Sequence, residues 1–116
     1  MNRPILLSPA GSYESFSGAL NAGADAVYLG GDRFSARAYA DNFSSDEVCR
    51  AITEAHFYGK RVYLTLNTLM KDDEISDAVS YIRPMYEAGL DAVIIQDLGI
   101  LSKVREIYPD LEIHAS

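Results

Sequence analysis

Two stretches decide the fold: Ala22-Gly23-Ala24-Asp25-Ala26-Val27-Tyr28-Leu29 and Ala88-Gly89-Leu90-Asp91-Ala92-Val93-Ile94-Ile95. Each passes from a helix end through a glycine and an aspartate into an apolar strand. Glycine accepts the left-handed conformation that closes helices, and a continuous apolar run suits a parallel strand covered on both faces. The same phrase used twice predicts a right-handed βα series around a parallel sheet. Outward from these phrases, strand and helix alternate four times, and a fifth strand opens at Leu111-Glu112-Ile113-His114-Ala115-Ser116. The fold class is α/β, a partial TIM-type (β/α) barrel of about four βα units plus a fifth strand, roughly half of an eight-unit barrel. Residues 1–116 are expected to form the truncated N-terminal part of such a barrel, with the function belonging to a longer protein.

Local signals place the elements. Ile5-Leu6-Leu7 reads as the first strand, and Ser12 as the N-cap of a helix carrying Phe16, Ala19 and Leu20 on one side. Asp25 to Leu29 is the second strand. Gly30 to Phe43 is a long connection without periodicity, a length at which βα loops are often functional. Ser44 with Glu47 fits a capping box, followed by the buried stripe Val48, Ala51, Ile52 and Ala55. Arg61 to Asn67 is the third strand. Asp72-Asp73-Glu74 suits the positive end of a third helix, in which Pro84 predicts a kink or break near Ile82 and Arg83. Asp91 to Gln96 is the fourth strand, and Gly99 to Ile107 a helix stopped by Pro109.

Bulk properties narrow the function. The 116 residues carry a net charge of −7 and are 48% hydrophobic. No cluster of Lys or Arg suggests a bare phosphate-binding surface, so tight nucleic-acid binding by this segment alone is disfavoured. The single cysteine, Cys49, excludes an internal disulfide and any multi-cysteine metal site within these residues. No apolar run reaches the ~20 residues of a membrane span, and no signal-peptide pattern opens the chain. A cytoplasmic location is expected.

In a parallel barrel the site lies at the carboxyl ends of the strands. Those ends deliver Ser8 to Gly11, then Gly30-Gly31 with the loop Phe34 to Phe43, then Asn67-Thr68, Gln96-Asp97, and finally His114 and Ser116. Polar residues gather where the architecture predicts ligands.

These positions also carry a resemblance. The phrases LLSPAGSYES, AGADAVYLGG, FSARAYADNF, LNTLMKDDEI, GLDAVIIQDLGIL and LEIHAS, in this order, resemble the N-terminal part of the peptidase U32 family over essentially the whole chain. Early members of that family were labelled collagenase-like proteases. Others support oxygen-independent hydroxylation of a tRNA uridine, a 23S rRNA cytidine or the ubiquinone ring. The resemblance implies an RNA substrate for the full-length protein, with prephenate implicated and a [4Fe-4S] cluster held by cysteines beyond this segment; no cofactor is expected within it. The phrases at Asn67-Thr68-Leu69, Gln96 to Leu101 and His114-Ala115-Ser116 are more similar to the rRNA branch than to the tRNA branch. Tyr39 stands where many members have a second arginine.

Arg37, Asn67, Asp97 and His114 are the catalytic candidates. Gly30, Gly31, Ser35, Asn42, Gln96 and Ser116 are the substrate-binding candidates, and no metal ligands are expected. Each has a plainer reading. Arg37, with its planar fork, suits a carboxylate or phosphate but equally an ion pair. Asn42 and Asp97 can serve as helix caps. Gly30-Gly31 lacks the rest of a dinucleotide fingerprint and suits a close backbone approach. His114 would share a face with Glu112. His56 reads as a packing or surface residue and Cys49 as a small apolar one. No nucleophile-elbow pattern surrounds Ser8, Ser35 or Ser116, and no paired-histidine zinc motif occurs. The leading expectation is hydroxylation of RNA, ribosomal in particular. Proteolysis, small-molecule hydroxylation and a non-catalytic half-barrel are the alternatives. The isolated segment is expected to self-associate through its open strand edges.

Overall fold

The computed structural model describes residues 6–35 and 43–115. Along them run β1 (Leu7–Ala10), α1 (Tyr13–Asn21), β2 (Ala26–Gly30), α2 (Ser45–Phe57), β3 (Arg61–Leu66), α3 (Asp72–Glu87), β4 (Ala92–Ile95), α4 (Leu98–Ile107) and β5 (Glu112–Ala115). All neighbouring strands pair in parallel, in the sequential order β1-β2-β3-β4-β5. Sequential parallel strands, each followed by a helix, are the arrangement of a (β/α) barrel; here the sheet is open, as a partial barrel requires.

The period-two alternation of strands divides the sheet into two faces. Val27, Leu29, Val62, Leu64, Leu66, Val93 and Ile95 pack with Phe16, Ile52, Ala55, Ile82, Met85, Ile100 and Val104 of the helices in the main core. Among the described residues, no helix packs on the opposite face. It carries Ala26, Tyr63 and Ala92, with Tyr28 and Ile94 against them, and continues in Glu112 and His114 of β5.

The helix caps follow from the sequence. Ser44 Oγ accepts the Glu47 N–H at 3.2 Å, and Glu47 accepts the Ser44 N–H at 3.0 Å. Ser12 caps α1 in the same reciprocal way, with Ser15 in the place usually taken by Glu. The stripe Val48, Ala51, Ile52 and Ala55 is fully buried.

Both repeated phrases do one job. Gly23 and Gly89 take positive φ values of 93° and 102°. Asp25 Oδ2 then accepts the Leu6 N–H, and Asp91 Oδ2 accepts the Val62 N–H, each at 2.8 Å. The backbone answers in parallel, Asp25 N–H donating to Leu6 C=O and Asp91 N–H to Val62 C=O. Each aspartate thus locks its strand to the preceding one at the amino edge of the sheet. Each also faces a basic group: Lys60 at 3.9 Å from Asp25 and His56 at 2.8 Å from Asp91. His56 is accordingly part of this amino-edge clamp.

Two expectations are corrected. The first strand runs from Leu7 to Ala10 and passes through Pro9, rather than ending at Leu7. Pro9 has no N–H to give a ladder, and β1 is an outer strand of the sheet, where proline is tolerated. Pro84 does not break α3, which continues to Glu87. Its missing donor leaves the Ser80 carbonyl unserved, but Ser80 and Pro84 are both exposed, so water reaches that carbonyl. Pro84 C=O still accepts the Ala88 N–H at 3.0 Å.

Candidate functional site

Parallel pairing places the ends of all five strands on one edge, where the described candidates lie. Gly30 ends β2, Asn67 follows β3, Gln96 and Asp97 follow β4, and His114 is the penultimate residue of β5. Arg37, Asn42 and Ser116 lie outside the described residues.

The β2–α2 loop is tied at both described ends. Tyr81 reaches from α3 to its root. The Tyr81 hydroxyl donates to Asp32 Oδ1 at 3.2 Å and accepts backbone N–H groups of Asp32 and Arg33. Burial, with the Asp32 carboxylate beside it, pushes this phenol up to about 12. A Cβ on Gly31 would meet the Tyr81 hydroxyl at 1.8 Å, and one on Gly30 would meet Ser35 Oγ at 2.6 Å. Both glycines therefore serve the packing of the loop root against Tyr81 and Ser35, the close-approach reading of this pair. Phe34, with φ of 61°, turns its ring onto Tyr81 at 5.5 Å, and the Arg33 guanidinium stacks over Phe34 at 4.6 Å. At the far end, Phe43 pairs with Gly31 in an isolated bridge and packs between Tyr13 and Phe16.

Asp97 is a structural cap. Oδ1 accepts from Gly99 N–H at 2.8 Å and Ile100 N–H at 3.1 Å, while Oδ2 accepts from Met70 N–H at 3.0 Å. The Met70 and Ile100 amides hold its carboxyl below the usual range. This carboxylate fastens the β3–α3 loop to the start of α4 and has both oxygens engaged. Asn67 is half-buried beside that loop and Gln96 is exposed.

His114 points along the helix-free face. Its Nε2 lies 3.1 Å from Glu112 Oε1, and its ring meets the Tyr63 ring edge-on at 5.0 Å. Beside them, the Arg61 guanidinium lies against the Tyr63 hydroxyl, a hydrogen bond that raises its pKa further above the ordinary value, with Glu112 adding to the effect. His114 is thus the described candidate with acid–base chemistry and a polar neighbourhood of its own. Tyr63, Glu112 and Tyr81 were not among the sequence candidates. For Tyr63 and Glu112 the available signal was the alternation that sets them on one face with His114; for Tyr81, on a helix, there was none.

Among the described residues, no group of three or more His, Cys, Asp or Glu could hold a metal ion. Cys49 is half-buried on α2, its thiol pushed up by burial and by Asp46. A single protonated thiol does not fit an iron–sulfur cluster, which needs several thiolates.

A sequence model described as peptidase family U32 matches residues 11–116. The chain belongs to peptidase family U32. Among curated U32-like relatives, a 23S rRNA 5-hydroxycytidine synthase of Escherichia coli (strain K12) is 43% identical over 115 residues, covering 99% of this chain and 17% of that protein. The tRNA hydroxylation protein P of the same organism is 37% identical over 116 residues, covering 100% of this chain and 26% of that one. A collagenase of Porphyromonas gingivalis (strain ATCC BAA-308 / W83) is 34% identical over 112 residues, covering 96% and 27%. The chain therefore spans roughly a sixth to a quarter of the length of these relatives.

Proposed function

We propose that the full-length protein carries out oxygen-independent hydroxylation of RNA, with ribosomal RNA as the substrate. The observation that carries this reading is the 43% identity, along 99% of the chain, to a relative named for 5-hydroxycytidine synthesis in 23S rRNA. Relatives named for tRNA hydroxylation match over the same span at lower identity. The site supports acid–base and positioning roles rather than peptide hydrolysis. Nucleophilic cleavage needs a Ser or Cys on a base, whereas among the described residues His114 contacts a carboxylate and an aromatic ring.

In this reading His114 handles a proton at the carboxyl edge, Asn67 and Gln96 orient the substrate, and Arg37 with Asn42 holds an anionic group. Asp97 acts by fixing the loop beside Asn67. The prephenate requirement and the [4Fe-4S] cluster belong to the full-length protein as part of the same proposal, with the cluster's ligands outside this chain. A cytoplasmic location goes with an RNA substrate; no helix of the described residues is long and apolar enough to cross a membrane.

Deletion of the gene should remove one hydroxylated nucleotide from ribosomal RNA, read by mass spectrometry of digested RNA. Wild-type protein should restore it, and Arg37→Ala or His114→Ala should restore little. The peptidase reading, kept open by the collagenase relative, predicts unchanged RNA and cleavage of gelatin by the purified protein. Loss of a tRNA nucleotide instead would move the substrate assignment to tRNA.

A further inference from the structure

The interior of a (β/α) barrel is ordinarily filled by branched apolar side chains. The helix-free face of this sheet departs from that pattern: besides Tyr28 on β2 it carries Arg61, Tyr63 and Thr65 on β3 and Glu112 and His114 on β5. Strands β3 and β5 are not neighbours. β4 lies between them, so the two backbones are about 9.5 Å apart. The register explains how their side chains meet. Tyr63 pairs with Ala92, and Ala92 pairs with Glu112. Alanine at the crossing point leaves a gap in the face, and the Tyr63 ring extends over Ala92, which is completely buried beneath it. The ring thereby reaches His114, edge-on at 5.0 Å. Glu112 shares the face two residues away from His114 and places Oε1 at 3.1 Å from Nε2. Arg61 closes the cluster against the Tyr63 hydroxyl, with Glu112 also in its field.

The imidazole is thus fixed at two points of different kinds. A carboxylate lies beside one nitrogen, in a pair whose side chains are 38% and 54% exposed, and an aromatic edge limits rotation of the ring plane. With Nε2 against Glu112, Nδ1 is the nitrogen turned away from the carboxylate. We infer that Glu112 and Tyr63 are positioning residues for His114, and that Ala92 is the small residue that lets them assemble across β4. This inference rests on the hydroxylase reading for its consequence, but the assembly itself is testable without it.

The experiment uses full-length protein labelled with 15N-histidine. The His114 signals are identified by their loss in His114→Gln. A hydrogen-bonded imidazole N–H cross-peak is expected in the wild type. Glu112→Gln, which keeps an acceptor oxygen, should retain the cross-peak; Glu112→Leu should lose it. Ala92→Leu, which fills the gap, should move the ring-proton shifts of His114 away from their Tyr63-shifted positions, as Tyr63→Leu should. A cross-peak that persists in Glu112→Leu, or ring shifts unmoved by both Tyr63→Leu and Ala92→Leu, overturns the inference. In the RNA assay Glu112→Leu should lower hydroxylation about tenfold or more through lost orientation, with Glu112→Gln close to wild type. Equal activity of Glu112→Leu and wild type, where His114→Gln is inactive, also overturns it. If the gene proves unnecessary for any RNA hydroxylation, the functional reading fails while the nitrogen spectrum still decides the assembly.

Discussion

The α-carbon of Gly31 faces the hydroxyl of Tyr81 so closely that a methyl group there would lie 1.8 Å from it. This contact joins helix α3 to the root of the β2–α2 loop. Gly31→Ala should therefore displace the phenol and destabilise the protein by about 1–3 kcal/mol, the usual range for overpacking. The clash is with the hydroxyl, whereas the next ring atom would lie at 3.1 Å. Tyr81→Phe combined with Gly31→Ala should recover part of the loss. A double-mutant cycle in denaturant measures this; strict additivity of the two changes would refute the contact.

Tyr81 also predicts an alkaline transition. Its folded-state pKa, about 12, lies above the ordinary value of 10. The stabilisation is complete below pH 10 and is lost as pH rises from 10 through 12. The stability difference between wild type and Tyr81→Phe should shrink over that window, followed by tyrosinate absorbance and unfolding together. A difference that stays constant from pH 9 to 12 would contradict the buried-phenol assignment.

Asp97 behaves in the opposite sense. Its carboxyl is held below the ordinary 3.8 by the Met70 and Ile100 amides. The contribution is present above pH 3.8 and is lost as pH falls through the lower folded-state value. Asp97→Ala should cost about 1–2 kcal/mol as a lost helix cap. It should also speed hydrogen exchange at Met70, Gly99 and Ile100. Unchanged exchange at Met70 would show that the link between the two loops is dispensable.

The two repeated aspartates should differ in weight. Asp91 serves the N–H of Val62, a fully buried residue. Asp25 serves that of Leu6, which is 53% exposed. Removing an acceptor strands a buried donor at a cost of about 1–3 kcal/mol, whereas an exposed donor turns to water. Asp91→Ala should consequently be the more damaging change, with loss of Val62 amide protection as its local signature. Equal effects at the two sites would sink this ranking.

We further predict that the isolated 116-residue polypeptide self-associates. β1 and β5 are the outer strands of the described sheet, and Leu6 and Leu7 are both exposed beside one edge. Unpaired strand edges template further pairing. Sedimentation equilibrium should give a mass above 12.8 kDa; a folded monomer at high concentration would count against it.

The order of elements was readable because helix and strand periods, caps and the repeated Gly–Asp phrases all agree. The capping box at Ser44 and Glu47 and the stripe from Val48 to Ala55 needed only local information. Pro9 sits within a strand and Pro84 leaves its helix unbroken for one reason. A proline's cost depends on whether its missing hydrogen bond would have been buried, and exposure is set by tertiary neighbours. The site was legible by position, since Asn67, Gln96 and His114 lie at or near strand ends. Its chemistry was not: the pairing of Tyr63 with His114 depends on a gap left by a residue on the strand between them. Asp97 shows the complementary difficulty, because the same carboxylate at a strand end fits a base or a cap until its partners are placed.

The amino-edge clamps at Asp25 and Asp91 carry a consequence for how such a protein can change. They fix strand register with residues that take no part in the opposite edge. The carboxyl-edge loops can therefore be exchanged as cassettes. A chimera that imports residues 32–42 from a relative should keep the same sheet, with the Val62 amide as strongly protected from exchange as before.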